Sequence, residues 1–435
     1  MPVAKMEMNE RSLAQRQLKA TLIAEGLALS ETDAMALGAT DWTLGSAWVR
    51  ALVDDKKLPV LAANLQCDGE SPYPPSKVIT RGGRTFGVVG ITVGTVEGCE
   101  VSAPAPALIA ALEQLGDVDV TVALLPVRTG PELAALGLAD APFDIAFDAR
   151  GMHTRAAGEK SGNTWMYGAG NKGKSLGVLS LTFVPGATTW EPVGQADAVA
   201  KGIERLEQRL AATQNRAKSE TNPDRQALFE RQTTSYQGQL DKERKRFVEM
   251  SDRDTEGNLL RNSEVQLSRA IANHAETEAL VVAAKEAIGS EEVQASPNTA
   301  PHRIADGPFA GSDACAQCHR AEFLQWAGTA HARSFQTLFA DKRHLDDDCF
   351  SCHVTGAGQP GGPASPDRVG GFRDVQCEAC HGPARAHSLD PANADLKPTA
   401  DPAQEACVTC HDGDRDGGRF DFGTYRPKVV HKASK

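Results

Sequence analysis

Four times between residues 315 and 411 the chain repeats one signature, two cysteines separated by two residues and followed at once by a histidine. The copies are Cys315-Ala-Gln-Cys318-His319, Cys349-Phe-Ser-Cys352-His353, Cys377-Glu-Ala-Cys380-His381 and Cys407-Val-Thr-Cys410-His411. They take eight of the 10 cysteines and four of the 11 histidines in 435 residues. A tetrahedral zinc shell built from cysteine pairs is complete with two thiolates from each of two pairs, and has no use for a histidine fixed at the next position. Covalent haem c requires that histidine. Two thiols at this spacing can form thioethers with the two vinyl groups on one porphyrin edge, and the adjoining imidazole then reaches the iron as proximal ligand.

The surrounding composition agrees. From residue 301 to 435, 20 of 135 residues are Leu, Ile, Val or Phe, below the roughly 20% that builds an ordinary core. Four haem c groups would supply the missing apolar surface, so this segment is expected to fold only when loaded. The formal net charge is -11 and no Lys/Arg cluster suggests nucleic acid. No apolar run reaches the roughly 18 to 20 residues of a membrane span. The opening residues lack the basic and apolar segments of a secretory signal. Haem c is attached outside the cytoplasm, so the expected location is periplasmic or otherwise extracytoplasmic, with the signal peptide in residues upstream of Met1.

Five further histidines, His302, His331, His344, His387 and His431, are candidates for the opposite axial position on four irons. The stretches "GSDACAQCHRAEFLQWAGTAHARSF", "CFSCHVTG", "GFRDVQCEACHGPARAH" and "FDFGTYRPKVVH" resemble the tetrahaem cytochrome c family whose best-known member accepts electrons from hydroxylamine oxidoreductase. The resemblance implies His331, His387 and His431 as distal ligands, closely stacked haem pairs, and room for one open sixth position. It leaves the fourth distal place between His302 and His344. His387 lies only six residues beyond His381, close for reaching back over the same haem, so it is expected to ligate a neighbouring one.

The first 300 residues read differently. "LAQRQLKATLIAEGLAL" has helical periodicity, "LPVLAANL", "KVITRGGRTFGVVGIT", "VDVTVALLP", "FDIAFDA" and "KSLGVLSLTFV" read as strands, and "APALIAALEQLG" and "GPELAALGL" as helices between them. That order predicts an α/β layered domain over residues 1–192. "DAMALGATDWTLG", "VALLPVRTG" and "FDIAFDARGMH" are similar to the metallophosphatase domain of the secreted 5'-nucleotidase family at the strand ends where that family holds its metals. In that resemblance Ala39 and Thr40 replace an Asn and a His, Val127 or Arg128 the next His, and Arg150 and Met152 the last pair. Asp41, Asp148 and an off-register His153 are what is left, too few for two cations about 3.5 to 4 Å apart. The domain is therefore expected to be catalytically dead and to serve docking or scaffolding, with its first strands upstream of Met1. Cys67 and Cys99 form either a disulfide or two separate thiols.

Residues 193–295 predict a helical hairpin broken near "SETNPD", followed by a further helix through "SEVQLSRAIANHAETEALVVAAKEAIG", on which His274 is solvated. Residues 296–435 form the mainly helical and irregular tetrahaem domain. The expected function is electron transfer with redox partner proteins, other cytochromes or an oxidoreductase, and no catalytic residue is assigned. Residues 301–435 carry 15 Lys+Arg against 18 Asp+Glu, a net -3 before haem propionates, which suits a partner with a positive patch. The alternative is a redox enzyme acting on a small nitrogen or oxygen species at a five-coordinate haem.

Overall fold

The computed structural model describes residues 10–137, 143–150, 158–168, 173–219, 223–251, 257–268, 270–290, 307–412 and 419–431. The chain divides into two compact units, residues 24–272 and residues 1–23 together with 273–435. Helix α1 (Glu10–Leu29) begins in the second of these and ends in the first.

In the unit 24–272, α2 (Ser46–Lys56) turns Val49 and Val53 inward. Strand β1 (Leu65–Cys67) pairs antiparallel with the later β4 (Cys99–Val101). Between them β2 (Ser76–Arg81) and β3 (Arg84–Gly90) form a hairpin whose two turn residues, Gly82 and Gly83, have φ of 58° and 75°. Positive φ at both positions suits the right-handed twist of a tight hairpin, and glycine adopts it without a Cβ clash. Then come α3 (Pro104–Gln114), β5 (Val120–Leu125), α4 (Gly130–Ala135), β6 (Ile145–Asp148), β7 (Glu159–Ser161) and β8 (Thr164–Gly168). Six strands make one sheet in the order β2-β3-β5-β6-β8-β7, with β3, β5, β6 and β8 parallel and an antiparallel strand at each edge.

Side-chain alternation sorts this sheet into two layers. Ala123, Leu125, Ala146 and Met166 pack with Leu108 and Ala111 of α3. Val120, Val122, Ile145 and Tyr167 pack on the other face with Trp190 and Leu260. These last two belong to a three-stranded sheet made from β9 (Ser175–Thr182), β10 (Trp190–Pro192) and β11 (Asn258–Gln266). Gly90 is glycine because a Cβ there would sit 2.6 Å from the Leu61 carbonyl oxygen. The expected α/β layered architecture is present.

Between β10 and β11 lies the predicted hairpin, α5 (Gln195–Ser219) and α6 (Pro223–Ser251). Pro223 opens α6 at a position where its missing N–H costs no helical hydrogen bond. Arg244 reaches across to Glu207 at 2.6 Å.

Two expectations require correction. "LPVLAANL" makes no regular strand before Leu65, where β1 begins: Val60 forms an isolated bridge with Met35, and Ala62 and Ala63 bond singly to Pro74 and Gly90. The helix expected from Ser263 onward starts only with α7 (Ala275–Ser290), because Asn258–Gln266 is strand β11. β11 pairs antiparallel with β9 over eight residues, Leu259 opposite Thr182 through Gln266 opposite Ser175, and parallel with β10. Those partners are far away in sequence, and local periodicity does not register them. His274 is exposed, as expected, with Nδ1 3.2 Å from the Thr277 hydroxyl.

Besides α7 and the first part of α1, the other unit consists of short helices: α8 (Ser312–Cys315), α9 (Arg320–Ala327), α10 (Ser334–Ala340), α11 (Asp347–His353), α12 (Cys377–His381), α13 (Arg385–Leu389), α14 (Gln404–Val408) and α15 (Phe422–Tyr425). Its apolar cluster is small, formed by Phe309, Phe335, Leu338, Phe350, Val354, Ala357, Val369 and Phe372. Among the described residues from Arg385 onward no side chain is fully buried.

Candidate haem-binding centre

Every Cys-x-x-Cys-His copy occupies a helical turn. Cys349, Cys352 and His353 lie within α11, and Cys377, Cys380 and His381 make α12. α8 and α14 continue one turn past their assigned ends, with His319 N donating to Cys315 O at 2.8 Å and His411 N to Cys407 O at 3.0 Å. On a helix, positions i, i+3 and i+4 share a face, so each turn offers two thiols and one imidazole to the same side.

The imidazoles are oriented by their surroundings. His353 Nδ1 lies 2.6 Å from Ser334 O and His381 Nδ1 2.6 Å from Thr399 O. A carbonyl only accepts, so Nδ1 carries a proton in both rings, the arrangement found behind histidines that bind a metal through Nε2. Among the described residues, two pairs of histidine rings lie close together: His331 and His411 with centres 6.3 Å apart and planes at 49°, and His381 and His431 with centres 6.0 Å apart and planes at 12°. A metal bound at about 2.0 to 2.1 Å by each of two imidazoles holds the ring centres about 6 Å apart.

The electrostatics fit the same group. Burial lowers the pKa of His331, helped by His411, and that of His431, helped by His381, which favours the neutral ligand form. Nδ1 of His344, His387 and His431 is buried without a hydrogen-bond partner. Burial pushes the Cys349 thiol up to about 11 and also raises Cys380 and Cys407. Cys315 is raised first by its hydrogen bond with Cys377 and then by burial. Cys377 is the exception, lowered by that same hydrogen bond; the four raised sites resist a thiolate but tolerate a thioether sulfur, which carries no charge.

One short segment ties three of the copies together. Gln376, 6% exposed, accepts from Ser312 N at 2.8 Å and donates to Gly371 O and Arg373 O at 2.7 and 2.8 Å. Asp374 N donates to His353 O at 3.0 Å, and Val375 N to His331 O at 3.1 Å. Glu378, 3% exposed, accepts from the backbone N–H groups of Ala310, Gly311 and Ala384 at 2.8 to 3.1 Å. Sequence reasoning missed Gln376 and Glu378. The only hint was a polar and an acidic residue flanking Cys377 in a segment poor in large side chains.

Of the remaining candidates, His387 sits in α13, and Arg385 N of that helix bonds to Pro308 O in the loop leading to Cys315. His344 stacks on Phe339 at 4.2 Å with Arg373 as its charged neighbour. His302 lies outside the described residues.

Residues 314–382 match the family model described as cytochrome c554 and c-prime. This part of the chain resembles the cytochrome c554 family. Cytochrome c-554 of Nitrosomonas europaea is 35% identical over 96 residues, an alignment covering 19% of this chain and 41% of that protein. The chain thus spans under half the length of the curated relative it matches. The chain is also similar to sulfate thiohydrolase SoxB of Thermus thermophilus (TM-score 0.35, 22% identity, 40% of this chain and 33% of that one). It is also similar to a 5'-nucleotidase precursor from the same organism (TM-score 0.33, 18% identity, 39% of each chain).

In the unit 24–272, Asp148 has a side chain with 0% exposure and receives the Arg150 guanidinium at 2.5 and 2.9 Å and the Arg150 backbone N–H at 2.9 Å. Asp41 accepts from Gly38 N at 2.7 Å, its pKa raised by burial despite that bond and Arg128. Among the described residues no three His, Cys, Asp or Glu side chains cluster for a metal, and His153 and Met152 lie outside them. Cys67 and Cys99, opposite each other on β1 and β4, form a disulfide. No helix among the described residues is long and apolar enough to cross a membrane.

Proposed function

We propose that the chain is a c-type cytochrome carrying four covalent haem c groups and transferring electrons between redox partner proteins. When bound, haem c supplies one-electron chemistry at an iron whose potential is set by its ligands, burial and hydrogen bonds. The two histidine pairs, with ring centres at metal-spanning distance, carry this reading. Cys315/Cys318, Cys349/Cys352, Cys377/Cys380 and Cys407/Cys410 form the thioethers, and His319, His353, His381 and His411 are the proximal ligands. His331 serves opposite His411, and His431 opposite His381. His387 then serves opposite His319: the Cys315–Cys377 thiol contact and the Arg385–Pro308 bond support this by setting α13 beside the first copy.

Pyridine haemochrome analysis of protein matured with the haem-ligation machinery should give four haem c per chain; fewer than four sinks the reading. His387→Met should alter the spectrum of the haem at Cys315 and Cys318 and leave that at Cys377 and Cys380 unchanged.

A second reading rests on His353: like His319, it has no described histidine ring at the spacing of His331 and His411. His344, stacked on Phe339, is the candidate for that iron. An iron left open there would bind small nitrogen or oxygen species. Carbon monoxide should shift the Soret band of the reduced protein if the position is open; an unchanged band assigns a saturated carrier.

The α/β unit serves as a catalytically dead scaffold. Support comes from Arg150, whose guanidinium neutralises Asp148 where a cation would be required. Turnover of a nucleotide substrate with Mn²⁺ or Zn²⁺ would overturn this. The disulfide and the haem chemistry together support an extracytoplasmic location.

A further inference from the structure

The loop before Cys349 is bound by side chains from the opposite end of the chain. Gln15 of α1, 1% exposed, donates to Leu345 O at 2.7 Å and accepts from Asp347 N at 3.3 Å. One turn on, Lys19 Nζ lies 2.6 Å from Asp346 Oδ1 and 2.7 Å from Asp348 Oδ2. Asp346, 2% exposed, caps α11 by accepting from Asp348 N, and its second oxygen takes the Arg343 guanidinium at 2.8 and 3.0 Å. This is a charge cluster three residues before Cys349, on the helix that presents Cys349, Cys352 and His353. Burial disfavours the Lys19 ammonium, but its two carboxylate hydrogen bonds outweigh that and hold its pKa above the ordinary value. Removing Lys19 would leave the cluster one unit more negative, and a more negative surrounding favours the oxidised state of a redox centre.

We propose that the start of α1 belongs to the second attachment site: Gln15 positions its loop, and the Lys19 ammonium raises the reduction potential of the haem held at Cys349 and Cys352. The proposal rests on the haem reading above. Lys19 is a positioning residue, acting on the centre through charge and through Asp346.

The test uses the full haem-loaded chain and optical redox titration at low ionic strength, where a partly exposed charge is least screened. Lys19→Met should lower one potential of the four and leave three in place. The shift should approach a tenfold change in the oxidised-to-reduced ratio, about 59 mV for a one-electron couple. Lys19→Glu should move the same potential about twice as far, and Lys19→Arg should restore the wild-type value. Gln15→Leu carries no charge change and should lower the thermal midpoint with the four potentials unmoved. The proposal fails if Lys19→Met and Lys19→Glu leave every potential unchanged. It fails equally if Gln15→Leu lowers the potential as far as Lys19→Met, since the effect then follows the fold and not the charge. Absence of covalent haem from the wild-type protein would instead remove the haem reading itself.

Discussion

Glu378 shows how much a single side chain holds in a unit with little core. Its carboxylate receives three backbone N–H groups from two loops, one leading to Cys315 and one following His381. Glu378→Ala leaves those donors buried and unmatched, at about 1 to 3 kcal/mol for each unsatisfied group, so a loss of roughly 3 to 5 kcal/mol is expected. Glu378→Gln keeps an acceptor oxygen and should lose less. Thermal unfolding of the haem-loaded variants measures both, and equal midpoints for Glu378→Ala and wild type would show the contacts to be dispensable. The sequence made the neighbouring Cys377, Cys380 and His381 plain because theirs is the spacing that a porphyrin edge and an iron would require. Glu378 occupies a position that this chemistry leaves free, so its role depends on loops that come together only in the fold.

At the level of elements, legibility followed the range of the interactions that form them. β5 and α3 were readable because their apolar periodicity answers to one nearby layer. The end of β11, from Ser263 to Gln266, was misread as helix because its partner β9 lies on the far side of the α5/α6 hairpin in sequence. The β1/β4 pair was also illegible as a ladder, yet its two cysteines were conspicuous as the pair left over from the haem motifs. Their disulfide closes a separation of 32 residues. On the chain-entropy account a loop of that size contributes about 3 to 4 kcal/mol. Cys67→Ala with Cys99→Ala should lower the unfolding free energy of residues 24–272 by about that amount, read from the denaturant midpoint. Reductant should destabilise the wild type but leave the double variant unaffected, which separates the cross-link from simple loss of packing around the buried Cys67.

Across the whole molecule, the two units differ in where their stabilising apolar surface comes from. Residues 24–272 close two side-chain layers against one six-stranded sheet, with Val89, Ile91, Leu108 and Ala123 at 0% exposure, and are self-sufficient in core. In residues 273–435 the protein's own cluster is confined to residues 309–372, and the described residues from Arg385 onward bury no side chain fully. Helices as short as α12 to α15 are far below the roughly 12 to 15 residues at which an isolated helix becomes even marginal in water. Their order must come from a partner surface, which the low content of large aliphatic residues had already required of the sequence. Chain made without haem ligation should therefore lose the second unit and keep the first. Limited proteolysis of such apoprotein is expected to cut first within residues 307–431 and leave a resistant fragment containing residues 24–272, whereas the loaded protein resists at both. Equal resistance of the apo and loaded chains through residues 385–431 would mean that these short helices are held by the polypeptide alone, and the argument from missing apolar surface would fall.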